Sequence, residues 1–336
     1  MAKGIRMARE EAARRVTAAD VARSLGLSRA TVGFVLNDTP GQTISPATRE
    51  RVLAEAKRLG YRANSAARAL ASGRSRIVLL ILPDWPIDYS MRGNIDEASL
   101  ALDRAGYALV TMTPHPDGQA QPLWESLGPH VVLSIVPLSD GQRAAIVDGG
   151  VAHVVAPTPG GDTELERGLE FAVGPRLQAE HLLERGRRAI AFAGSTDARI
   201  AELVAQRRSL AADTLRAHGT QLHADADLDA GNASAVVSAW LERGVDAVVA
   251  YNDDIAALVV GAALRQGIAV PDRLGVIGHD DSPIASLFVP ALSSIRVDTV
   301  GLGRRLAATA LSVVEGTQPP TAGPESRALV VARETT

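Results

Sequence analysis

Ser28, Arg29, Ala30 and Thr31 follow a tight Leu25-Gly26-Leu27 turn and open the run RATVGFVLN. Ser28 suits a helix N-cap. Arg29 and Ala30 then stand at the N-terminal end of the second helix of a helix-turn-helix, the end that enters the major groove. An arginine there can donate to both acceptors of guanine, for roughly 1–3 kcal/mol of discrimination. The same side chain could instead hold a phosphate, which positions without specifying. Thr31 could reach phosphate or bond its own helix.

Other reactive constellations are scarce. There is no cysteine, which excludes disulfides, thiolate nucleophiles and thiolate metal sites. The seven histidines show no metal-ligand spacing, so no metal is expected. Asp225-x-Asp227-x-Asp229 begins like a calcium loop. Ala230 and Val236 then occupy the sixth and twelfth positions, where such a loop needs Gly and Glu. No phosphate-cradling G-x-x-x-x-G-K-[ST] and no nucleophile elbow occurs. No catalytic residue and no cofactor are therefore expected, and an enzyme reading has nothing to stand on. Polar residues do end apolar runs: Asp84 after IVLLILP, Asn252 and Asp253 at the end of DAVVAYN, and Asp280 at the end of LGVIGHD. Trp85 and Tyr89 follow Asp84; an aromatic beside a carboxylate could stack on a sugar face or simply form a rim. Asn252 could instead cap the next helix, and Asp280 could be a turn residue. Trp124, Trp240, Tyr251 and His279 read as core or lobe-surface residues.

Those residues need elements to hold them. Thr17 can cap a helix over AADVARSL, with Asp20 at its third position. A third helix starts at Ser45 and Pro46, buries Val52, Leu53, Ala56 and Leu59 on one face, and stops at Gly60. Asn64 can cap a short fourth helix, SAARALAS, too short to be stable alone. Leu70 on it is an ordinary exposed leucine in isolation. In a hinge paired with its own copy it can wedge between base steps in the minor groove. Charge agrees with a nucleic-acid partner for this end. Residues 1–76 hold 15 Lys/Arg against 6 Asp/Glu, and the remainder holds 20 against 32. Residues 1–16 are charged, without an apolar core, and read as a disordered basic arm rather than a secretory signal. No run approaches the ~20 apolar residues of a membrane span, so a cytoplasmic protein is expected.

From Ile77 the pattern changes. Apolar runs at 77–83, 107–113, 131–137, 151–157, 189–194, 246–252, 274–280 and 328–334 read as strands. Helices are expected near 92–105, 175–186, 199–218, 232–243, 253–266 and 300–315. Such alternation implies parallel sheets covered on both faces. Ligands in open α/β sheets bind at strand C-termini.

The ordered motifs VT-x-x-DVA, G-x-S-x-x-TV-x-x-VLN, S-x-x-TR-x-RV and LGY-x-x-N-x-x-A-x-x-L resemble the lac-repressor (LacI/GalR) family of bacterial transcription regulators. The likeness continues, more loosely, through 176–194, 250–298 and the terminal VVARETT. It implies an N-terminal all-α helix-turn-helix head with a hinge helix, then an α/β two-lobed periplasmic-binding-protein-like body with parallel sheets. The boundaries it implies are a head over 17–62, hinge and linker over 63–76, and an effector-binding and dimerisation body over 77–336. Within the body the N-lobe takes about 77–169 and 297–325, and the C-lobe about 170–296 and 326–336. Carried over position by position, the DNA-contacting set is Thr17, Ser28, Arg29, Ala30, Thr31, Asn37, Arg49, Tyr61, Asn64, Ala67 and Leu70. The effector set is Asp84, Trp85, Tyr89, Arg207, Asn252, Asp253 and Asp280. An Arg, an Asn and an Asp converging on a cleft can hold vicinal hydroxyls, although Arg207 could instead form a salt bridge, with Arg208 beside it.

The implied partners are an operator duplex, a sugar-like effector and a second copy of the chain, with no membrane. No leucine heptad follows residue 316, so a dimer is expected. The implied function is a ligand-controlled repressor; the alternative from another class is the solute-binding protein of a transporter. Departures from the family pattern are Gly33 and Phe34 in the recognition helix, Ala63 in place of a usual Pro, a longer loop at 38–44, and Leu210 and Ala211 after Arg207. Val173 stands where Asp is usual, which implies a less polar pocket or entrance.

Overall fold

The computed structural model describes residues 16–37, 39, 41–61, 75–115, 119–157, 173–318 and 328–336. The expected basic arm, the hinge helix with Asn64, Ala67 and Leu70, and Ala63 all lie outside them. The chain forms two compact units, residues 1–76 and 77–336.

The head is three helices, α1 (Ala18–Leu25), α2 (Arg29–Leu36) and α3 (Pro46–Arg58). Each begins at a hydroxyl cap. The Thr17 hydroxyl accepts from the Asp20 amide and Asp20 accepts in return from the Thr17 amide at 2.9 Å, completing a capping box. Ser28 and Ser45 cap α2 and α3, with Pro46 in the first turn of α3. Gly26 ends α1 at φ +63°, a left-handed conformation open to glycine, and so turns the chain into α2. Val21, Ala22, Val32, Val35, Val52 and Ala56 are buried together, joined by Leu25, Leu27, Leu36 and Leu59. Leu53, expected in this core, is half exposed instead.

The body has two parallel sheets of the same winding. The first is β2-β1-β3-β4, from β1 (Ile77–Ile81), β2 (Ala108–Met112), β3 (Val131–Ser134) and β4 (His153–Val155). The helices α4 (Tyr89–Arg104), α5 (Leu123–Leu127) and α6 (Asp140–Asp148) fall between these strands in the chain. The second is β6-β5-β7-β8, from β5 (Ile190–Ser195), β6 (Ala224–Leu228), β7 (Ala247–Ala250) and β8 (Gly275–Ile277). Its helices are α7 (Val173–Glu184), α8 (Ala201–Ala217), α9 (Ala233–Glu242) and α10 (Asp253–Arg265). A short α11 (Pro283–Leu287) leads to β9 (Ser294–Arg296), which pairs antiparallel with β10 (Leu329–Val331). Between these strands α12 (Thr299–Glu315) returns to the first lobe, where Leu306, Ala307 and Ala310 join the core of Val78, Leu80, Ala98 and Leu102. Gly303 permits that approach: a Cβ there would lie 2.5 Å from the Asn94 carbonyl oxygen on α4. In both sheets the winding reverses beside the first strand, which opens a crevice at the strand C-termini.

Three departures from the sequence expectation have local causes. The Asp225–Asp227 stretch is strand β6, whose edge-strand alternation of Ala and Asp lacks the apolar run of a buried strand. β9 is three residues long. The helices α5, α6 and α11 are short, and Ile146 and Ala285 are the buried residues of the last two, so their apolar periodicity is faint. The Ser139–Gln142 capping box before α6 was the signal available for it.

Candidate functional site

On the head, Arg29 and Ala30 are exposed at the start of α2. The Thr31 amide donates to Ser28 Oγ at 3.0 Å, and the two hydroxyls lie 2.8 Å apart. Both therefore build the helix start that presents Arg29. Thr17 is exposed at the start of α1 and Asn37 is exposed at the end of α2; Arg49 and Tyr61 are half-buried. Tyr61 packs on the head core.

In the body, a cavity of about 380 Å³ lies between the crevices of the two sheets. The first lobe contributes mostly apolar wall: Leu80, Trp85, Ile87, Met91, Ile95 and Ile135, with Leu302 and Leu306 from α12. Asp88, Ser90 and Asn94 are its polar members. The second lobe contributes Ser195, Asp197, Arg207, Tyr251, Asn252, Asp254 and Asp280. Trp85 packs against the cores of both lobes.

Strand ends hold the polar groups in place. Asn252 follows β7 and its side chain caps α10, accepting from the Ile255 amide at 3.0 Å. The cap and the cleft position coexist. Asp280 follows β8 at φ +93°, a strained backbone for a non-glycine residue, costing about 1–3 kcal/mol. Its amide donates to the Ile295 carbonyl at 2.8 Å, which helps fix that conformation. The buried Asp280 carboxylate accepts from His279 Nδ1 at 2.8 Å and from Ser90 Oγ of the first lobe at 3.0 Å. Burial pushes this carboxyl up, but His279, Arg207 and Ser90 outweigh burial and hold it below the usual range. His279 is pushed down, first by burial and then by Arg207.

Arg207 is buried on α8. Its Nη1 donates to the Tyr251 carbonyl at 2.6 Å, and its guanidinium lies 4.6 Å from the Tyr251 ring centroid. Burial drives the Tyr251 phenol up to about 12, so it stays neutral. Arg208 faces away, bridging Asp225 and Asp227 on β6. The salt-bridge alternative thus belongs to Arg208 and the cleft to Arg207.

Of the expected effector residues, Trp85, Arg207, Asn252 and Asp280 meet in the cleft. Asp253 does not line it. Its buried carboxylate accepts from Ser294 Oγ at 2.5 Å and from the Ser282 amide at 2.7 Å, tying α10 to the loop after β8. Asp84 is exposed beyond the lining, and Tyr89 turns half its surface to solvent. Asp88 and Tyr251 were not expected there. Asp88 caps α4, accepting from the Met91 amide at 2.8 Å. An Asp at the N-cap position, directly before the first residue of α4, was the signal for it. Tyr251 had none, because its aromatic ring reads as core. Val173 begins α7 and is not among the lining residues.

Residues 17–64 match the family described as bacterial regulatory proteins, lacI family, and residues 179–336 match a periplasmic binding protein-like domain. The chain is 30% identical over 332 residues to the HTH-type transcriptional regulator MalR of Streptomyces coelicolor, covering 90% of this chain and 91% of that one. It is 29% identical to the regulator CelR of Thermobifida fusca, covering 91% and 94%. The fold is shared with a lac repressor dimer bound to operator and the anti-inducer ONPF, at TM-score 0.75 and 22% identity, covering 96% of this chain and 99% of that one. A CelR–cellobiose complex superposes at TM-score 0.61 and 24% identity, covering 96% and 100%.

Proposed function

The chain belongs to the lacI family of bacterial regulatory proteins, and from that premise we propose that it is a repressor whose grip on a pseudo-palindromic operator is set by a small sugar-like molecule in the body's cleft. As a family member it is a DNA-binding transcription regulator, and the transporter alternative falls: the relatives it matches over nine-tenths of its length are regulators.

The observation that carries the ligand reading is the convergence of Arg207, Asn252 and Asp280 on one cavity at the strand C-termini. Arginine only donates, the carboxylate only accepts, and the amide does both, a set suited to vicinal hydroxyls. Trp85 and Tyr251 offer apolar faces to a sugar ring. The CelR complex with cellobiose supports a sugar.

In this reading two copies of the chain place two α2 helices in successive major grooves. Arg29 reads a base edge, and the neighbouring cations hold phosphates. Leu70 wedges the central minor groove. The ligand acts by differential affinity for two arrangements of the lobes. The Ser90–Asp280 hydrogen bond spans those lobes, and a ligand hydroxyl that claims Asp280 competes with it. No helix among the described residues is long and apolar enough to cross a membrane; operator binding puts the protein in the cytoplasm.

The test is fluorescence anisotropy on a labelled operator, titrated with a panel of sugars and sugar derivatives. One ligand class is expected to shift operator affinity by roughly 5–150-fold. In Asp280→Ala that shift should vanish, with ligand-free operator binding as the control for a folded head. A response retained by Asp280→Ala at the same concentration moves the site elsewhere.

A further inference from the structure

The charges around the cleft do not balance. Asp88, Asp197, Asp254 and Asp280 all line it, against Arg207 as the sole cation among the described lining residues. Two of the four carboxylates are matched by the protein. Asp197 is gripped by Arg199 through hydrogen bonds of 3.0 and 2.6 Å. Asp280 accepts from His279 and Ser90 and lies within the field of Arg207.

Asp88 and Asp254 make no salt bridge or hydrogen bond to a cation among the described residues, and only the field of Arg207 reaches Asp88. Asp88 sits on the first lobe and Asp254 on the second, so they face the same cavity from opposite walls. The Asp88 carboxyl is raised above its ordinary range, first by burial and then by the charge of Asp280, against the lowering effects of the Met91 amide and Arg207, with Asp254 a smaller raising contribution. A phosphate or carboxylate placed here meets like charge from both walls. A second observation points to a ligand. Arg207 is only 6% exposed, and its Nε has no hydrogen-bond partner. A buried donor of that kind is costly unless an acceptor arrives.

Resting on the reading that this cleft is the effector site, we propose that the effector is a hydroxylated ring carrying a protonated amine. Its ammonium sits between Asp88 and Asp254, and its hydroxyls face Asn252, Asp280 and Arg207. The ammonium then ties one lobe to the other. The rival explanation for both carboxylates is structural, since each lies at a helix start, where negative charge is favoured. Asp88→Asn separates the two, because asparagine keeps the cap and removes the charge.

The experiment is calorimetric titration of the full chain at a pH where the amine is protonated. The probes are glucosamine, galactosamine and mannosamine, each beside its parent hexose, its N-acetyl form and the hexose 6-phosphate. At least one amine is expected to bind roughly fivefold tighter than its neutral counterparts, the upper end of a single exposed ion pair's worth. Asp88→Asn and Asp254→Asn should each shrink that ratio towards one, whereas a purely structural role leaves it unchanged. A neutral or phosphorylated sugar that binds as tightly as its amine overturns the proposal and leaves the cleft reading standing. Binding by no probe of any charge overturns the amine proposal and counts against a sugar site as well.

Discussion

Arg207 and Arg208 are adjacent in sequence yet answer to different partners. One is buried over Tyr251 in the cleft, and the other lies across Asp225 and Asp227 on an edge strand. Truncating each should separate their roles. Arg207→Ala is expected to abolish the ligand response measured on operator binding. Arg208→Ala should leave ligand affinity within about twofold and cost at most ~1 kcal/mol in a urea melt, since its partners are about half exposed. A ligand response that survives Arg207→Ala would remove the guanidinium from the site. Asp253 supports a different prediction. Burial raises its carboxyl to about 7, against the lowering effect of Ser294 and Ser282. The native body therefore holds this proton at pH values where the unfolded chain, near 3.9, has lost it. Stability from this group should fall as pH rises from about 4 to 7 and level off above, by on the order of 4 kcal/mol at most. Asp253→Asn should flatten that segment of a stability-against-pH curve; an unchanged slope would assign it to other groups. The sequence already placed Asp280 and Asn252, because polar residues that end apolar strands stand out. It misassigned Asp253, since the residue after a strand and the residue after that differ by one position and by a whole environment.

Elements hold the cleft wall in place from behind. Gln178 on α7 is 1% exposed, and its amide nitrogen donates to the carbonyls of Ala250, Ile277 and Gly278, at 2.8, 3.2 and 2.8 Å. These are the ends of β7 and β8, the segments that present Tyr251, Asn252 and Asp280. Gly174 lies one turn earlier on the same helix, against His279, where any Cβ would collide with the imidazole. The helix α7 is thus a clamp behind the effector wall. Gln178→Leu leaves those carbonyls without their buried donor, so a loss of about 2–4 kcal/mol in body stability is expected. Ligand affinity should fall with it. A variant with unchanged urea midpoint and unchanged ligand affinity would show that strand ends need no such clamp. None of this was legible beforehand, because a lone Gln in an amphipathic helix carries no sign of the three carbonyls it serves. The buried strands were legible, since both faces of each sheet are covered and the runs are continuously apolar. Strand β6 was not: at the sheet edge its Asp225 and Asp227 answer to Arg208 across the surface, and no apolar pattern records that.

At the scale of the whole molecule, the small net charge of −3 conceals a division of labour: the first 76 residues are strongly basic and the remainder is acidic. An acidic body repels DNA, so phosphate contacts must come from the head and its flanking segments. Each phosphate neutralised releases condensed counterions, and affinity then falls steeply with salt. Between 50 and 200 mM salt the operator affinity of the full chain should drop by about a thousandfold or more, as for roughly six to ten phosphate contacts. The cleft obeys a different rule. It is partly enclosed, and the ligand proposed for it carries a single charge, which salt screens weakly over a few ångströms. Over the same range its ligand affinity should change by less than about fivefold. The two measurements on one preparation distinguish the sites. A shallow salt slope for the operator would mean that base and shape contacts dominate and that the basic head is a solvated surface. An equally steep slope for the ligand would mean that the ligand's charge is met at the surface rather than inside the cleft.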